Sequence, residues 1–115
     1  MASAQNGVFT FTGRTGRIYN VDYYTADTAG VLGTFNPSGA AVAGSPTYWR
    51  APEAVVVTDF AMHTGTTQTG LIMTEDGAIK NGAVIKYVPF LDTIANRPRL
   101  NIPFAQGALI GATSL

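Results

Sequence analysis

The chain has 115 residues, no cysteine, and seven basic side chains against seven acidic ones. That length fits one domain around one core, and the missing thiols exclude a disulfide framework, a thiolate nucleophile and a cysteine metal site. Zero net charge supplies no field to gather nucleic acid or anionic lipid. Charged residues make up only 12 % of the chain, against roughly 25 % in an ordinary globular domain. Threonine, glycine, alanine and asparagine take their place. A surface so poor in charge is cheap to desolvate, and the cores of protein–protein interfaces share that depletion.

The opening residues MASAQNG carry no basic n-region and no long apolar h-region, so no secretory signal is expected. Residues 1–7 read as an N-terminal arm. Thirteen glycines and six prolines are scattered along the chain. No window keeps apolar residues at i, i+3, i+4 and i+7 clear of them, and no apolar run approaches the roughly 18 residues of a spanning helix. Strand signals recur instead. VFTFTG (8–13) sets Phe9 and Phe11 against Val8, Thr10 and Thr12. RIYNVDYY (17–24) puts Tyr19, Val21 and Tyr23 on one side and Ile18, Asn20, Asp22 and Tyr24 on the other. Residues 25–47, rich in Gly, Ala, Ser and Pro, read as a long loop with one short strand around Val31–Phe35; a loop of that length in a compact domain has a task or a partner.

Residues 54–64 open with three consecutive β-branched valines, which favour a pleated surface. Strict alternation there places Val56, Phe60 and Met62 in the core and Val55, Val57, Asp59, Ala61 and His63 on the other face. GLIMTE (70–75), AVIKYVPFL (83–91), RLNIPF (99–104) and ALIGAT (108–113) follow as strands, with Leu100, Ile102 and Phe104 on one face. Asp76-Gly77 and Asn81-Gly82 are hairpin dipeptides, since both residue types accept positive φ cheaply, and Gln106-Gly107 turns the last hairpin. The expected fold is all-β: one antiparallel β-sandwich or jelly-roll-like barrel of about seven to eight short strands, forming a single domain over residues 1–115.

Asp59 and His63, four residues apart, would touch on a helix. On a strand they stand about 13 Å apart, at roughly 3.3 Å per residue, too far to form a dyad. His63 is the only histidine, and it reads as a strand-end residue bonded to backbone or water. No serine lies in a G-x-S-x-G elbow, and a lone histidine makes a poor zinc site. GTTQTG (65–70) lacks the Lys-Ser/Thr pair of a phosphate loop. Glu75-Asp76 are neighbours that diverge to opposite faces of a strand, without the spacing of a calcium loop. No catalytic, cofactor-binding or metal-binding residue is expected.

The contact candidates are arginines and aromatics. GRTGR (13–17) and NRPR (96–99) supply four of the seven cations, and arginine suits interfaces through its planar fork and weak hydration. Tyr48-Trp49-Arg50 contains the only tryptophan and the three commonest hot-spot residue types. Trp49 is either a contact residue, a stacking platform for a sugar ring, or a cap on one end of the core. Tyr48, Trp49, Arg50, Arg97 and Arg99 are taken as the partner contacts.

The second half, from EAVVVTDFAMHTG to LNIPFAQGALIGATSL, resembles the small jelly-roll or β-sandwich proteins that coat tailed-phage capsids, the decoration (cement) and head-spike proteins. The cysteine-free chain, the Thr/Gly/Ala bias and the closing R-L-N-I-P-F-x-Q-G-A-L-I-G hairpin carry the likeness. The resemblance implies a homotrimer or other symmetric oligomer seated on a major capsid protein lattice. It further implies a virion protein assembled in the host cytoplasm, without catalysis, cofactor, nucleic acid or membrane. The same style occurs in trimeric jelly rolls of the tumour-necrosis-factor/C1q type and in lectins. A carbohydrate- or receptor-binding β-sandwich module is therefore the alternative, and no functional residue is carried over from any family.

Overall fold

A computed structural model describes residues 5–25, 30–62, 70–86 and 100–114. The described residues form nine strands and no helix: β1 Gln5–Gly13, β2 Ile18–Thr25, β3 Thr34–Asn36, β4 Trp49–Arg50, β5 Val55–Met62, β6 Gly70–Glu75, β7 Ala78–Lys86, β8 Ile102–Phe104 and β9 Leu109–Ser114. They make two antiparallel sheets, ordered β3-β2-β1-β5-β8 and β4-β9-β6-β7. The all-β expectation holds, as a sandwich of two sheets and not a closed barrel. Each of the seven strand segments read from the sequence overlaps a strand, and residues 63–64, 87–91 and 99 of these segments lie outside the described residues. The short one expected near residue 35 is β3, and β4, only two residues long, carries too little pattern to be seen.

β1 is the central strand of the larger sheet because its alternation is cleanest. Phe9 and Phe11 are buried while Val8, Thr10 and Thr12 are half-buried. It begins at Gln5, so Asn6 and Gly7, assigned to the arm by sequence, pair with Tyr24 and Tyr23. Gly7 is needed there, since a Cβ would stand 2.6 Å from the Ala61 carbonyl oxygen. The long 25–47 segment contains an ordered crossover. The Gly30 N–H donates to Ser114 O and the Gly33 N–H to Ala112 O, and Leu32 bridges to Thr113. The chain thus runs along the edge of β9 before it joins β2 as β3.

The two faces of the core are unequal in volume. The larger sheet contributes Phe9, Phe11, Tyr23, Phe35 and Phe60, whereas its partner contributes Leu71, Met73, Ile85 and Ile110 together with Ala83 and Ala112, all but fully buried. Large rings set against small side chains let the layers interdigitate without voids. The fit extends to the crossover, where a side chain at Gly33 would collide with the Tyr23 ring.

Two expectations are corrected. β5 does not alternate strictly: Thr10 pairs with Asp59 but Phe11 with Val57, so Thr58 is an extra residue, a β-bulge. The bulge resets the parity. Val55 and Val57 therefore share the core with Phe60, while Val56 is half-buried outside. The Thr58 hydroxyl donates to Thr10 O at 3.3 Å, absorbing a polar group at the irregularity. Asn81-Gly82 is likewise no hairpin turn. It lies inside β7, where Ile72 pairs with Val84 and Thr74 with Ile79, so that residues 80–83 oppose Met73 alone. Gly82 at φ +75° sits in this bulge. Asp76-Gly77 is the hairpin turn, both residues having positive φ (52° and 86°) as a type I′ turn requires.

The registers give the sandwich two poles. Gln5 pairs with Thr25, the Thr25 and Ser114 hydroxyls are 3.1 Å apart, and Gly70 pairs with Lys86 beside them. At the opposite pole stand four tight connections: residues 14–17, 51–54, 76–77 and 105–108.

Deleting Thr58 should remove the bulge and leave Val55, Val57 and Phe60 alternating onto the core face, so the fold is expected to survive with only a small drop in the urea midpoint. Thr58→Ala keeps the residue count and costs about 1 kcal/mol. Thr74 is buried and its hydroxyl has no hydrogen-bond partner among the described residues. Thr74→Val, of nearly the same shape, is expected to raise stability by about 1 kcal/mol in the same titration.

Candidate functional site

The pole with four tight connections is where the sequence candidates converge. The β1–β2 connection closes on itself: the Gly13 N–H donates to Arg17 O at 2.7 Å and the Gly16 N–H to Gly13 O at 2.9 Å. Glu53, from the loop between β4 and β5, lies over this turn. Its Oε1 accepts the Thr15 N–H at 2.8 Å and its Oε2 accepts the Tyr19 hydroxyl at 2.6 Å, with the Thr15 hydroxyl shared between the two oxygens. Glycine is required beneath it, since a Cβ at Gly13 would stand 2.5 Å from the Glu53 carboxyl carbon. The Tyr19 hydroxyl first, then the Thr15 N–H, hold the Glu53 carboxyl below its ordinary value of 4.5. Reciprocally, the bond to Glu53 holds the Tyr19 phenol above 10.0. Hydrogen bonds to an ionised acceptor stabilise that form, and they stabilise the neutral form of the donor.

Trp49 does not project as a contact residue. It is only 8 % exposed, packed 4.5 Å from the Phe11 ring and 5.6 Å from Tyr19, centroid to centroid. It closes the core at this pole, because pairing of β4 with β9 turns it inward opposite Ile110. Tyr48 is half-buried, and its ring lies over Gly111 on the outside of the smaller sheet. Arg50 is exposed and donates from Nη1 to Gly107 O at 2.9 Å. Arg97, Arg99 and His63 lie outside the described residues. Glu75 and Asp76 diverge as expected. Glu75 pairs with Lys80 at 3.1 Å across the β6–β7 hairpin, while Asp76 accepts the Leu109 N–H at 2.9 Å and ties the hairpin to β9.

Two concavities result. A cleft of about 390 Å³ is lined by Arg17, Tyr19, Trp49, Arg50 and both Pro37 and Pro52. The sequence brings these together from three separate segments, and Arg17 is held by its position 5.1 Å above the Tyr19 ring. The second, about 460 Å³ and mainly apolar, is a shallow groove on the outer face of the larger sheet, where Thr12, Val56, Thr58 and Pro103 meet. Sequence reasoning took Arg50 as a contact, left Arg17 among the loop arginines of GRTGR, and missed Glu53. Its partners lie 34 and 38 residues away in the chain, and no local motif announces them.

The pH dependence of this latch follows from its two partners. Folding favours ionised Glu53, so that contribution is complete above 4.5 and is lost as pH falls through the depressed value. Folding also favours neutral Tyr19, so that contribution is complete below 10.0 and is lost as pH rises through the raised value. The stability gap between wild type and Glu53→Gln should therefore form a plateau that closes at both ends in urea titrations across pH. Tyr19→Phe should abolish the closure on the alkaline side.

No protein-family model, curated protein or solved structure matches the chain.

Proposed function

We propose that this chain is a non-enzymatic structural protein of a virus particle, which decorates or cements a capsid by packing the outer face of its larger sheet against neighbouring subunits. The observation that carries the reading is the state of the polar groups on that face. The Thr10 hydroxyl donates to Asn20 Oδ1 at 3.0 Å, and Thr12 and Thr58 share a hydrogen bond of 3.2 Å. The Asp22 carboxylate accepts the Ala41 N–H at 2.6 Å, and Asp59 is likewise partnered. Hydroxyl and amide groups already bonded to one another lose little when water leaves, whereas unpaired ones would cost several kcal/mol each. Val8, Val56 and Pro103 supply apolar area between them, and Ile18 is 53 % exposed at the rim.

A second copy of the chain in a symmetric oligomer is the occupant proposed for this face, and the likeness to phage decoration proteins supplies the lattice. Against the carbohydrate-binding alternative stands the burial of Trp49, whose ring packs on Phe11 and Tyr19. Light scattering after size exclusion tests the proposal. Wild type is expected as one discrete oligomer, and Val56→Glu as a monomer with unchanged far-ultraviolet circular dichroism. A wild type that stays monomeric at high concentration would overturn self-association through this face.

A further inference from the structure

The cleft beside β4 is electrostatically one-sided. Its lining contains two guanidinium groups, Arg17 and Arg50, and no carboxylate. Both side chains are exposed, and neither has an acidic partner among the described residues. Each is nonetheless anchored by one contact: Arg17 by the Tyr19 ring, Arg50 by the Gly107 carbonyl. A guanidinium has five N–H donors, so most remain available while the side-chain ordering cost is already partly met. Glu53, the nearby acid, has both oxygens committed to Thr15 and Tyr19. Between the arginines the walls are prolines and rings, an open surface that suits an extended chain better than a compact ligand. The planar fork of arginine matches carboxylates and phosphates alike, and of the two it is carboxylates that a protein partner carries on its own side chains.

We propose that this cleft binds an acidic, extended peptide segment of the protein on which the chain assembles, with side-chain carboxylates seated on Arg17 and Arg50. The inference rests on the assembly reading for the source of that segment; the chemistry of the cleft stands on its own geometry.

Trp49 lines the cleft and is the only tryptophan, so its emission reports occupancy. The full chain is titrated with N-acetyl hexaglutamate amide, with hexalysine and with sialyllactose. Expected is a saturable change with hexaglutamate alone, weakening as salt rises. Binding should be about tenfold weaker in Arg17→Gln and in Arg50→Gln, the loss of one charge-assisted hydrogen bond. Arg14→Gln, outside the cleft, should bind as wild type does. Arg17 makes no hydrogen bond through its side chain among the described contacts, so Arg17→Gln keeps the fold, and an unchanged melting temperature checks this. No saturable response to hexaglutamate, equal affinity in Arg17→Gln and wild type, or tighter binding of sialyllactose would overturn the proposal. Light scattering on the same samples separates the two readings. An oligomer blind to hexaglutamate overturns the cleft proposal alone, and a monomer that binds hexaglutamate through Arg17 upholds it while removing self-association.

Discussion

Phe9 stands against four other rings. Phe60 lies 4.4 Å away, Tyr23 5.2 Å, Phe35 5.5 Å and Phe11 5.9 Å, centroid to centroid. These rings come from four strands of one sheet, and their bulk sets how closely the other sheet approaches. That sheet brings Ala83 and Ala112 into the same core and sets Trp49 against Phe11. Because Ala112 is small, the Tyr23 hydroxyl reaches across and donates to its carbonyl oxygen at 3.0 Å. The same carbonyl accepts the Gly33 N–H, so the crossover that joins the sheets is registered by a ring in the core. Edge-to-face and offset contacts add directional preference to area burial, which suits a cluster that must fix both spacing and register.

Much of this was legible because a half-buried strand writes its geometry at period two. β1 and β2 show it without interruption, and the three-valine run announces β5. The places where reading by period fails are those where the count of residues, not their type, decides. Thr58 is an ordinary strand residue, yet its being one too many moves Val55 and Val57 to the core. Asn81-Gly82 has turn chemistry, and the positive φ it offers is used for a bulge inside β7, since the hairpin was already closed at Asp76-Gly77. The fate of Trp49 was decided by Phe11 and Tyr19, both distant in sequence. Glu53 carried no signal because a carboxylate that bonds a backbone N–H and a phenol needs only to be near them in space.

The scarcity of charge has a structural counterpart. Side chains on the larger sheet are satisfied locally: Thr12 bonds Thr58, the Thr58 hydroxyl donates to the Thr10 backbone carbonyl, and the Thr10 hydroxyl donates to Asn20. The few carboxylates near the tight pole are committed to backbone N–H groups, a hydroxyl or Lys80. What is left is a self-satisfied sheet face and, around its rim, a pair of arginines with no acidic partner among the described residues. Surfaces of these two kinds behave differently: a neutral one contributes affinity through area, while a charged one sets approach rate and orientation. Their presence on one small domain is consistent with docking in which the cationic cleft aligns the molecule before the flat face closes.

The two poles add a geometric consequence. β1 starts and β9 ends at the pole where Gln5 meets Thr25 and Thr25 meets Ser114, and the cleft lies toward the other. Additional polypeptide joined at either terminus would therefore leave the sandwich on the side remote from Arg17 and Arg50. A cargo or label carried there would hang clear of the cleft, so the fold offers a display scaffold whose attachment points stand at the end opposite Arg17 and Arg50.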